Sequence, residues 1–384
     1  MADLPLNVLI LGGYGMFGRR LTSNLVRHHD VDVTIAGRSL AKARALQDEI
    51  ATRWHKQIGI ARIDIFSDDL SSCFGALGVD CVVNASGPFQ GQDYSVAEAC
   101  IDAGAHYVDL ADDREFVAGI DALDERAIAK SLVVTAGASS VPALSSAVVD
   151  HYRPEFYALD SIRVGISPGN QVKRGISTVE SVLSCVGKPF ATQMDGRTRT
   201  LHGWQSLRRF DFGPPVGRRW MTDWNGPDLE LFPARYPEVR SIRFQAGLEL
   251  GVLHVGLWAL SGLTRAGWVE NWAPYARPLK WISERFSRFG SDVGGMFVTL
   301  DGIDRDERPL QITWELIADH NTGPDIPTIA AEILIGKLNA GIIVRRGARP
   351  CMGMFRLPEF MQVVSRSGIF QNERRSHDQA ATQV

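Results

Sequence analysis

The chain has 384 residues, of which 45% are hydrophobic and 22% are charged, so the composition predicts a globular protein of two domains. A formal net charge of −3, with basic residues spread along the chain, argues against a nucleic-acid-binding protein. The five cysteines form no CxxC pair, which predicts free thiols in a reducing compartment and no structural zinc. The first residues lack the pattern of a signal peptide. We therefore expect a cytoplasmic protein.

Residues 6–150 alternate short apolar segments with segments of helical periodicity. This alternation predicts an α/β domain with a doubly wound parallel Rossmann sheet over residues 1–150. The predicted strands are 6–11, 32–36, 59–65, 80–84, 106–110 and 131–135, and the predicted helices are 16–28, 39–54, 92–103 and 115–130.

The pattern changes after residue 150, where strands separated by Gly, Pro and Asp turns predict a second, α+β domain on a mixed sheet over 151–320. A helical segment over 321–371 is expected to pack back on the first domain, and the polar residues 372–384 are expected to be disordered. The apolar stretch 248–263 is too short to span a bilayer. It is consistent with a buried helix, a dimer contact or a peripheral membrane-binding helix.

A glycine motif follows the first predicted strand and opens the first predicted helix. It reads Gly13-Tyr14-Gly15-Met16-Phe17-Gly18, the G-x-G-x-x-G pattern of a dinucleotide-binding turn. The first glycine allows the tight turn, the second lets the pyrophosphate approach the backbone, and the third lets helix and strand pack closely. We expect the pyrophosphate at the N-terminus of this helix.

The residues after the second predicted strand favour NADP over NAD. An NAD-binding domain typically carries Asp or Glu here for the ribose 2′-hydroxyl, whereas this chain has Arg38 and Ser39, with Lys42 one turn later. A guanidinium binds a 2′-phosphate that a carboxylate would repel. Asp64, near the end of the third predicted strand, either binds the adenine amino group or caps the following turn.

Loops after the later strands are expected to meet at the same edge of the sheet. The segment Asn84-Ala85-Ser86-Gly87-Pro88-Phe89 is predicted to form a wall for the nicotinamide ribose. Asp112, Asp113 and His106 are expected to face this edge and are weak candidates for an acid or base, although His106 is more typical of a structural histidine. Basic residues of the second domain, among them Arg218 and Arg219, are available to bind a substrate carboxylate. We predict no metal site.

Residues 6–150 resemble the NADP-binding domain of the saccharopine dehydrogenase family. The resemblance rests on the motif at 11–18, the Ala-Gly-Arg-Ser stretch ending at Ser39, the Asn84–Phe89 segment, and the segment Glu-Ala-Cys-Ile-Asp-Ala-Gly-Ala-His-Tyr-Val-Asp-Leu at 98–110. It implies a Rossmann domain, a second domain that often dimerises, and reduction of a C=N bond or its reverse. Segment 139–143 lacks the acidic turn of saccharopine-forming and polyamine-forming members, so their substrate specificity is not carried over.

Two hypotheses follow. The first is an NADP-dependent oxidoreductase, a homodimer that transfers hydride to or from a C=N, C=C or C=O group of a small or lipid-like substrate in the interdomain cleft. The second is a non-catalytic NADP-binding redox sensor or scaffold.

Overall fold

The computed structural model describes residues 5–342 and 345–377. By their internal packing the described residues divide into two compact units. Unit 1 ends its first segment at Leu144 and also contains Pro324–Phe355, and unit 2 contains Ser145–Gly323 and the residues from Arg356 onward. The first predicted boundary, at 150, lies a few residues after the observed one.

The strands are β1 (Leu6–Leu11), β2 (Val31–Gly37), β3 (Gly59–Arg62), β4 (Cys81–Asn84), β5 (His106–Asp109), β6 (Val133–Ala136), β7 (Phe156–Ser167), β8 (Pro189–Met194), β9 (Arg197–His202), β10 (Arg208–Asp211), β11 (Arg218–Asp223), β12 (Ser241–Ala246), β13 (Gly294–Asp304), β14 (Pro309–Ala318), β15 (Gly347–Pro350) and β16 (Ile369–Ser376).

The α-helices are α1 (Met16–His28), α2 (Leu40–Trp54), α3 (Leu70–Ala76), α4 (Ser95–Ala103), α5 (Arg114–Ala118), α6 (Asp124–Ala129), α7 (Ser145–Tyr152), α8 (Ile176–Ser184), α9 (Asp228–Arg235), α10 (Gly251–Arg265), α11 (Ala276–Arg285), α12 (Ile326–Asn339) and α13 (Leu357–Val364).

Unit 1 contains a seven-stranded parallel sheet of order β15-β6-β5-β4-β1-β2-β3. The central strands β1 and β4 are almost wholly apolar and buried, as expected for strands covered on both faces. The chain reverses its winding direction between β1 and β4, and in such sheets ligands bind beyond the carboxyl ends of the strands at this point. The predicted doubly wound parallel sheet is confirmed, with β15 as an additional edge strand.

Helix α12 returns the later part of the chain to unit 1, where it packs on α1. Asp325 precedes α12 and accepts a hydrogen bond from the Arg20 guanidinium at 2.9 Å. His29 Nε2 lies 3.1 Å from the buried carboxylate of Glu332. These two polar contacts fix both ends of α1 against α12.

Unit 2 contains a mixed seven-stranded sheet of order β10-β11-β12-β7-β13-β14-β16 and a separate β8–β9 hairpin. Strands β12 and β7 are parallel, whereas the other neighbours are antiparallel. The predicted mixed sheet is therefore confirmed.

The prediction of a disordered tail from residue 372 is wrong for residues 372–376, which belong to the edge strand β16. The backbone of this strand pairs with β14, and Glu373 accepts a hydrogen bond from the Tyr152 hydroxyl at 2.7 Å. Its side chains are polar because most of them face solvent at the sheet edge. The rest of the predicted tail, 378–384, lies outside the described residues.

The stretch 248–263 forms most of helix α10. Only His254 and Ser261 are buried in that helix, so it is not the buried helix of the first alternative. Within the described ranges, no helix has both the length and the apolar content needed to cross a membrane.

Candidate functional site

The glycine turn packs so closely that several of its positions exclude a side chain. Gly12 has a φ of +72°, a conformation that favours glycine. A Cβ on Gly18 would lie 2.2 Å from the carbonyl oxygen of Gly12, and one on Gly13 would lie 2.6 Å from the side chain of Ile35. These distances are shorter than any van der Waals contact, so the third glycine of the motif lets α1 begin directly against the turn.

The N-terminus of α1 has the features of an anion-binding site. Gly15 is its N-cap and supplies no side-chain hydrogen bond, and the first turn contains no acidic residue. Met16 and Phe17 begin the helix and are half-buried. The first N–H groups of an α-helix have no intrahelical partner, and together with the helix dipole they attract negative charge. This end of α1 fits the pyrophosphate of a dinucleotide.

Tyr14 connects the glycine turn to the turn that follows β2. Its hydroxyl accepts a hydrogen bond from the Ser39 N–H at 2.9 Å, and a Cβ on Gly37 would lie 2.4 Å from that hydroxyl oxygen. Ser39 is the N-cap of α2, and its side-chain oxygen accepts from the Lys42 N–H at 3.4 Å. The two segments predicted to bind the phosphates are therefore neighbours in unit 1.

The basic side chains of this turn are accessible. Arg38 and Lys42 are exposed, and no carboxylate of the described residues pairs with Arg38. The sheet also brings Arg62, the last residue of β3, into register with Gly37. Sequence reasoning missed Arg62, since only the strand pairing places it beside the turn. An exposed arginine next to a helix N-terminus fits a phosphate group.

Asp64 follows β3 and holds a turn. Its Oδ1 accepts from the Phe66 N–H at 3.2 Å, and its own N–H donates to Asp68 Oδ2 at 2.8 Å. Of the two roles expected for Asp64, the described contacts correspond to the turn cap.

The loop after β4 lies directly against the glycine turn. The Ala85 N–H donates to the Leu11 carbonyl at 2.9 Å, and a Cβ on Gly12 would lie 2.9 Å from the Ala85 carbonyl oxygen and 3.0 Å from Ser86 Oγ. The buried Asn84 accepts from the Ser86 N–H at 3.0 Å and so fixes the start of the loop. The structure thus joins the two predicted cofactor segments at one edge of the sheet.

Gln92 holds the remainder of that loop, a role that sequence reasoning missed. Its side-chain amide donates to the carbonyl oxygens of Ser86 at 3.1 Å and Pro88 at 2.6 Å, on both sides of Gly87. Phe89 is buried and packs against Phe116, with the ring centroids 5.4 Å apart. The loop predicted to hold the nicotinamide ribose is therefore fixed by hydrogen bonds from Gln92 and by the packing of Phe89.

Asp109, at the carboxyl end of β5, is a second residue that the candidate set missed. It is fully buried, and its Oδ1 accepts from the Gly137 N–H at 2.7 Å and the Ala111 N–H at 2.9 Å, which joins the loops after β5 and β6. Burial raises the pKa of Asp109 to about 7, against the lowering effect of these two hydrogen bonds. Asp109 Oδ2 and the nearby Tyr107 hydroxyl have no well-formed hydrogen bond among the described residues.

The three weak acid–base candidates do not come together. Asp113 is the N-cap of α5 and accepts from the Phe116 N–H at 2.9 Å. Asp112 is exposed, with Gln90 Nε2 3.5 Å from its carboxylate. The expectation that His106 faces the ligand-binding edge is wrong, because His106 begins β5 and therefore lies at the opposite edge of the sheet.

The contacts of His106 are structural. Its Nδ1 accepts from the Val133 N–H at 3.1 Å. Burial lowers the pKa of His106 to about 4, with a further lowering from the positive charge of Arg346, so the ring is neutral at pH 7.

An open pocket of about 670 Å³ lies between the turn after β3 and the start of α4. Its lining includes the acidic residues Asp68, Asp69, Asp93, Glu98 and Asp102. So many carboxylates would repel phosphate, which excludes this pocket as the pyrophosphate site. The pocket also adjoins Ile65, in the turn held by Asp64.

In unit 2, two of the basic residues considered for a substrate carboxylate, Arg218 and Arg219, have structural partners. The buried Arg219 guanidinium lies 3.2 Å from the carboxylate of Glu249, which also accepts from the Asn170 and Ser291 N–H groups. Arg218 pairs with Asp211 at 3.0 Å. These contacts assign both arginines to the architecture of unit 2.

Comparison with known proteins gives one family match, over the N-terminal part of the chain. Residues 8–148 match the model of the saccharopine dehydrogenase NADP binding domain, which confirms the resemblance predicted for this region. A search of curated proteins found no match.

Among solved structures, apo saccharopine dehydrogenase (L-Glu forming) from Saccharomyces cerevisiae has a TM-score of 0.69 at 14% identity, with 97% of this chain and 100% of that chain covered. This likeness shows a shared fold. A short chain dehydrogenase from Escherichia coli matches with a TM-score of 0.20 at 19% identity over 27% of this chain and 52% of that chain, too little to carry an argument.

Proposed function

We propose, because residues 8–148 match the model of the saccharopine dehydrogenase NADP binding domain, that this protein is an NADP-dependent oxidoreductase. The observation that supports the proposal most strongly is the contact between the glycine turn and the loop after β4. A bound dinucleotide needs a phosphate site and a nicotinamide wall side by side, and these two segments meet that need.

In this proposal each part of unit 1 has one task. The N–H groups at the start of α1 bind the pyrophosphate, and Gly15 lets it approach the backbone. Gly13 and Gly18 allow the tight turn and its close packing against α1. Arg38 binds the 2′-phosphate, with Ser39 and Lys42 beside it. The loop from Asn84 to Phe89 holds the nicotinamide ribose. When bound, NADP supplies the nicotinamide that gives or takes a hydride.

Asp109 acts on this arrangement as a positioning residue. It holds the loops after β5 and β6 through the N–H groups of Ala111 and Gly137. Since its carboxylate is fully buried, it does not touch a substrate in the described conformation. The proposed substrate class is a compound with a C=N, C=C or C=O group.

A second candidate, a non-catalytic NADP-binding sensor or scaffold, is favoured by a specific observation. Asp113 caps a helix and His106 lies at the opposite edge of the sheet, so two of the three acid–base candidates are in structural roles. Homodimerisation and a cytoplasmic location stay predictions.

The deciding experiment follows NADPH oxidation at its absorbance maximum with panels of cyclic imines, ketones and enoyl thioesters. We expect turnover with at least one panel, and transfer of deuterium from deuterated NADPH to the product. NADPH binding without turnover on any panel would favour the sensor. A protein that binds no NADPH would contradict both candidates.

A further inference from the structure

Helices α10 and α11 of unit 2, with the segment that joins them and the residues just after α11, carry an unusual concentration of exposed apolar side chains. Among the described residues, eight of the fifteen exposed large hydrophobics lie within residues 252–289. We call residues 251–289 the tryptophan surface. Its most exposed members are Trp268 at 78%, Val252 and Phe289 at 62%, and Trp281 at 58%. Such a concentration marks an interaction surface, whereas single exposed hydrophobics are ordinary.

The inner sides of the same helices account for the core of this region. Leu257 and Leu260 of α10, together with Ala276 and Leu279 of α11, pack in one cluster around the buried Trp204. The Trp272 indole N–H donates to the Leu260 carbonyl at 3.2 Å and so ties the connection between the helices to α10. One side of each helix therefore packs into the core of unit 2. Packing in the core does not explain the apolar residues on the exposed side.

The tryptophan surface is also positively charged, in contrast to the chain as a whole. It contains the basic residues Arg265, Arg277, Lys280, Arg285 and Arg288 but only the acidic residues Glu270 and Glu284. The whole chain has a formal charge of −3. Arg285 lies over the Trp281 ring at 4.6 Å, and Arg288 lies over the Phe289 ring at 4.7 Å. Cationic groups thus stand directly beside exposed aromatic rings.

We propose that the tryptophan surface binds the interface of an anionic phospholipid bilayer. Indole rings and short aliphatic side chains enter the boundary between headgroups and acyl chains, while arginines remain at the lipid phosphates. An anionic bilayer therefore accounts for both the exposed apolar side chains and the basic residues of the tryptophan surface. The proposal is independent of the proposed function, since it concerns unit 2 residues with no part in cofactor binding.

A second copy of the chain fits the same surface less well. Two-fold pairing would bring two positively charged patches against each other, and charged groups are depleted from the cores of dimer interfaces. Anionic lipid instead neutralises the basic residues, each of which contributes a favourable attraction near the membrane surface.

The experiment measures co-flotation of the full chain with vesicles of phosphatidylcholine alone or of phosphatidylcholine mixed with phosphatidylserine. We expect binding to the mixed vesicles, weakened by added salt. Trp268→Glu and Trp281→Glu should each weaken it at least about tenfold, since a charge replaces an indole that enters the bilayer interface. Arg277→Gln should weaken it about fivefold, the attraction of one basic residue.

Two substitutions elsewhere in unit 2 serve as matched controls. Tyr157→Glu changes an aromatic residue that is 76% exposed on β7, and Arg197→Gln removes an exposed arginine on β9. Both should bind vesicles like the native protein. The circular dichroism of every variant is compared with the native spectrum to check that it folds. Two tryptophan variants are used so that the test still works if one of them misfolds.

The proposal is overturned if the native protein does not float with the mixed vesicles, or if the control variants lose binding to the same degree. It is also overturned if sedimentation shows a dimer that Trp268→Glu dissociates while no vesicle binding occurs. That result would assign the tryptophan surface to a second copy of the chain.

Discussion

Replacing Asp109 with Asn should change how the stability of the protein depends on pH. The Asp109 carboxyl is fully buried and its pKa is raised, chiefly by burial, from the ordinary value of 3.8 to about 7. The folded state therefore holds this proton more tightly than the unfolded state. The resulting stabilisation is complete below pH 3.8 and is lost as the pH rises through 7.

The size of the effect follows from the two pKa values. Each pKa unit corresponds to about 1.4 kcal/mol, so the full difference between 3.8 and about 7 amounts to about 4 kcal/mol. Roughly 2 to 3 kcal/mol of this is lost between about pH 5 and pH 8. Asparagine keeps an oxygen for the Ala111 and Gly137 N–H groups and carries no charge. Asp109→Asn should therefore lose less stability over that interval by this amount.

The assay is urea denaturation followed by far-UV circular dichroism at both pH values. Hydrogen exchange of peptides that cover β5 and β6 assigns the change to this sheet. Asp69→Asn is the control, because hydrogen bonds from Ser72 lower the pKa of that exposed cap, so its carboxyl is ionised in both states over the interval. If native and Asp109→Asn proteins lose the same stability between the two pH values, the reasoning about this carboxyl is refuted.

Two further predictions concern single positions with clear surroundings. Gly18→Ala places a Cβ 2.2 Å from the Gly12 carbonyl oxygen and should destabilise unit 1 by about 1–3 kcal/mol and weaken NADPH binding, whereas Gly75→Ala in α3 meets nothing within 4 Å and should stabilise it by up to about 1 kcal/mol. Equal effects on urea unfolding would contradict this comparison. The pKa of buried Asp228 is raised from 3.8 to about 8, mainly by burial, so Asp228→Asn should reduce the loss of stability as the pH rises from about 4 through 8. Tryptophan fluorescence measures it, since eight of the nine tryptophans lie in unit 2, and an unchanged pH slope would refute it.

The central strands of unit 1 could be predicted from sequence because each is a short apolar run between helical segments. Strand β15 could not, since its four residues, Gly-Ala-Arg-Pro, have no apolar pattern and its place is set by pairing with β6 more than 200 residues earlier. Strand β16 was missed for a related reason. Its polar side chains face solvent, and only its backbone bonds to β14 make it a strand.

The candidate site divides in the same way. The glycine turn could be predicted from the sequence because the requirement for glycine is local to the turn and the start of the helix. The importance of Asp109 could not be predicted, because its partner Gly137 comes from another loop and its burial depends on the whole sheet. Asp64 and Asp113 are acids whose described contacts are turn and helix caps. A polar residue near a predicted crevice can thus either act on a ligand or cap a turn or helix, and sequence alone does not distinguish these roles.

The central claim is that unit 1 binds NADP through the turn that contains Arg38. Fluorescence titration with NADPH and NADH tests it on the native protein, on Arg38→Ala and on Arg44→Ala, which removes an exposed arginine of α2. We predict NADPH to bind at least about tenfold more tightly than NADH, since a charge-assisted phosphate contact contributes about 1.5–3 kcal/mol. Arg38→Ala should remove most of that preference, and Arg44→Ala should keep it. Equal affinities of the native protein for the two cofactors would contradict the claim.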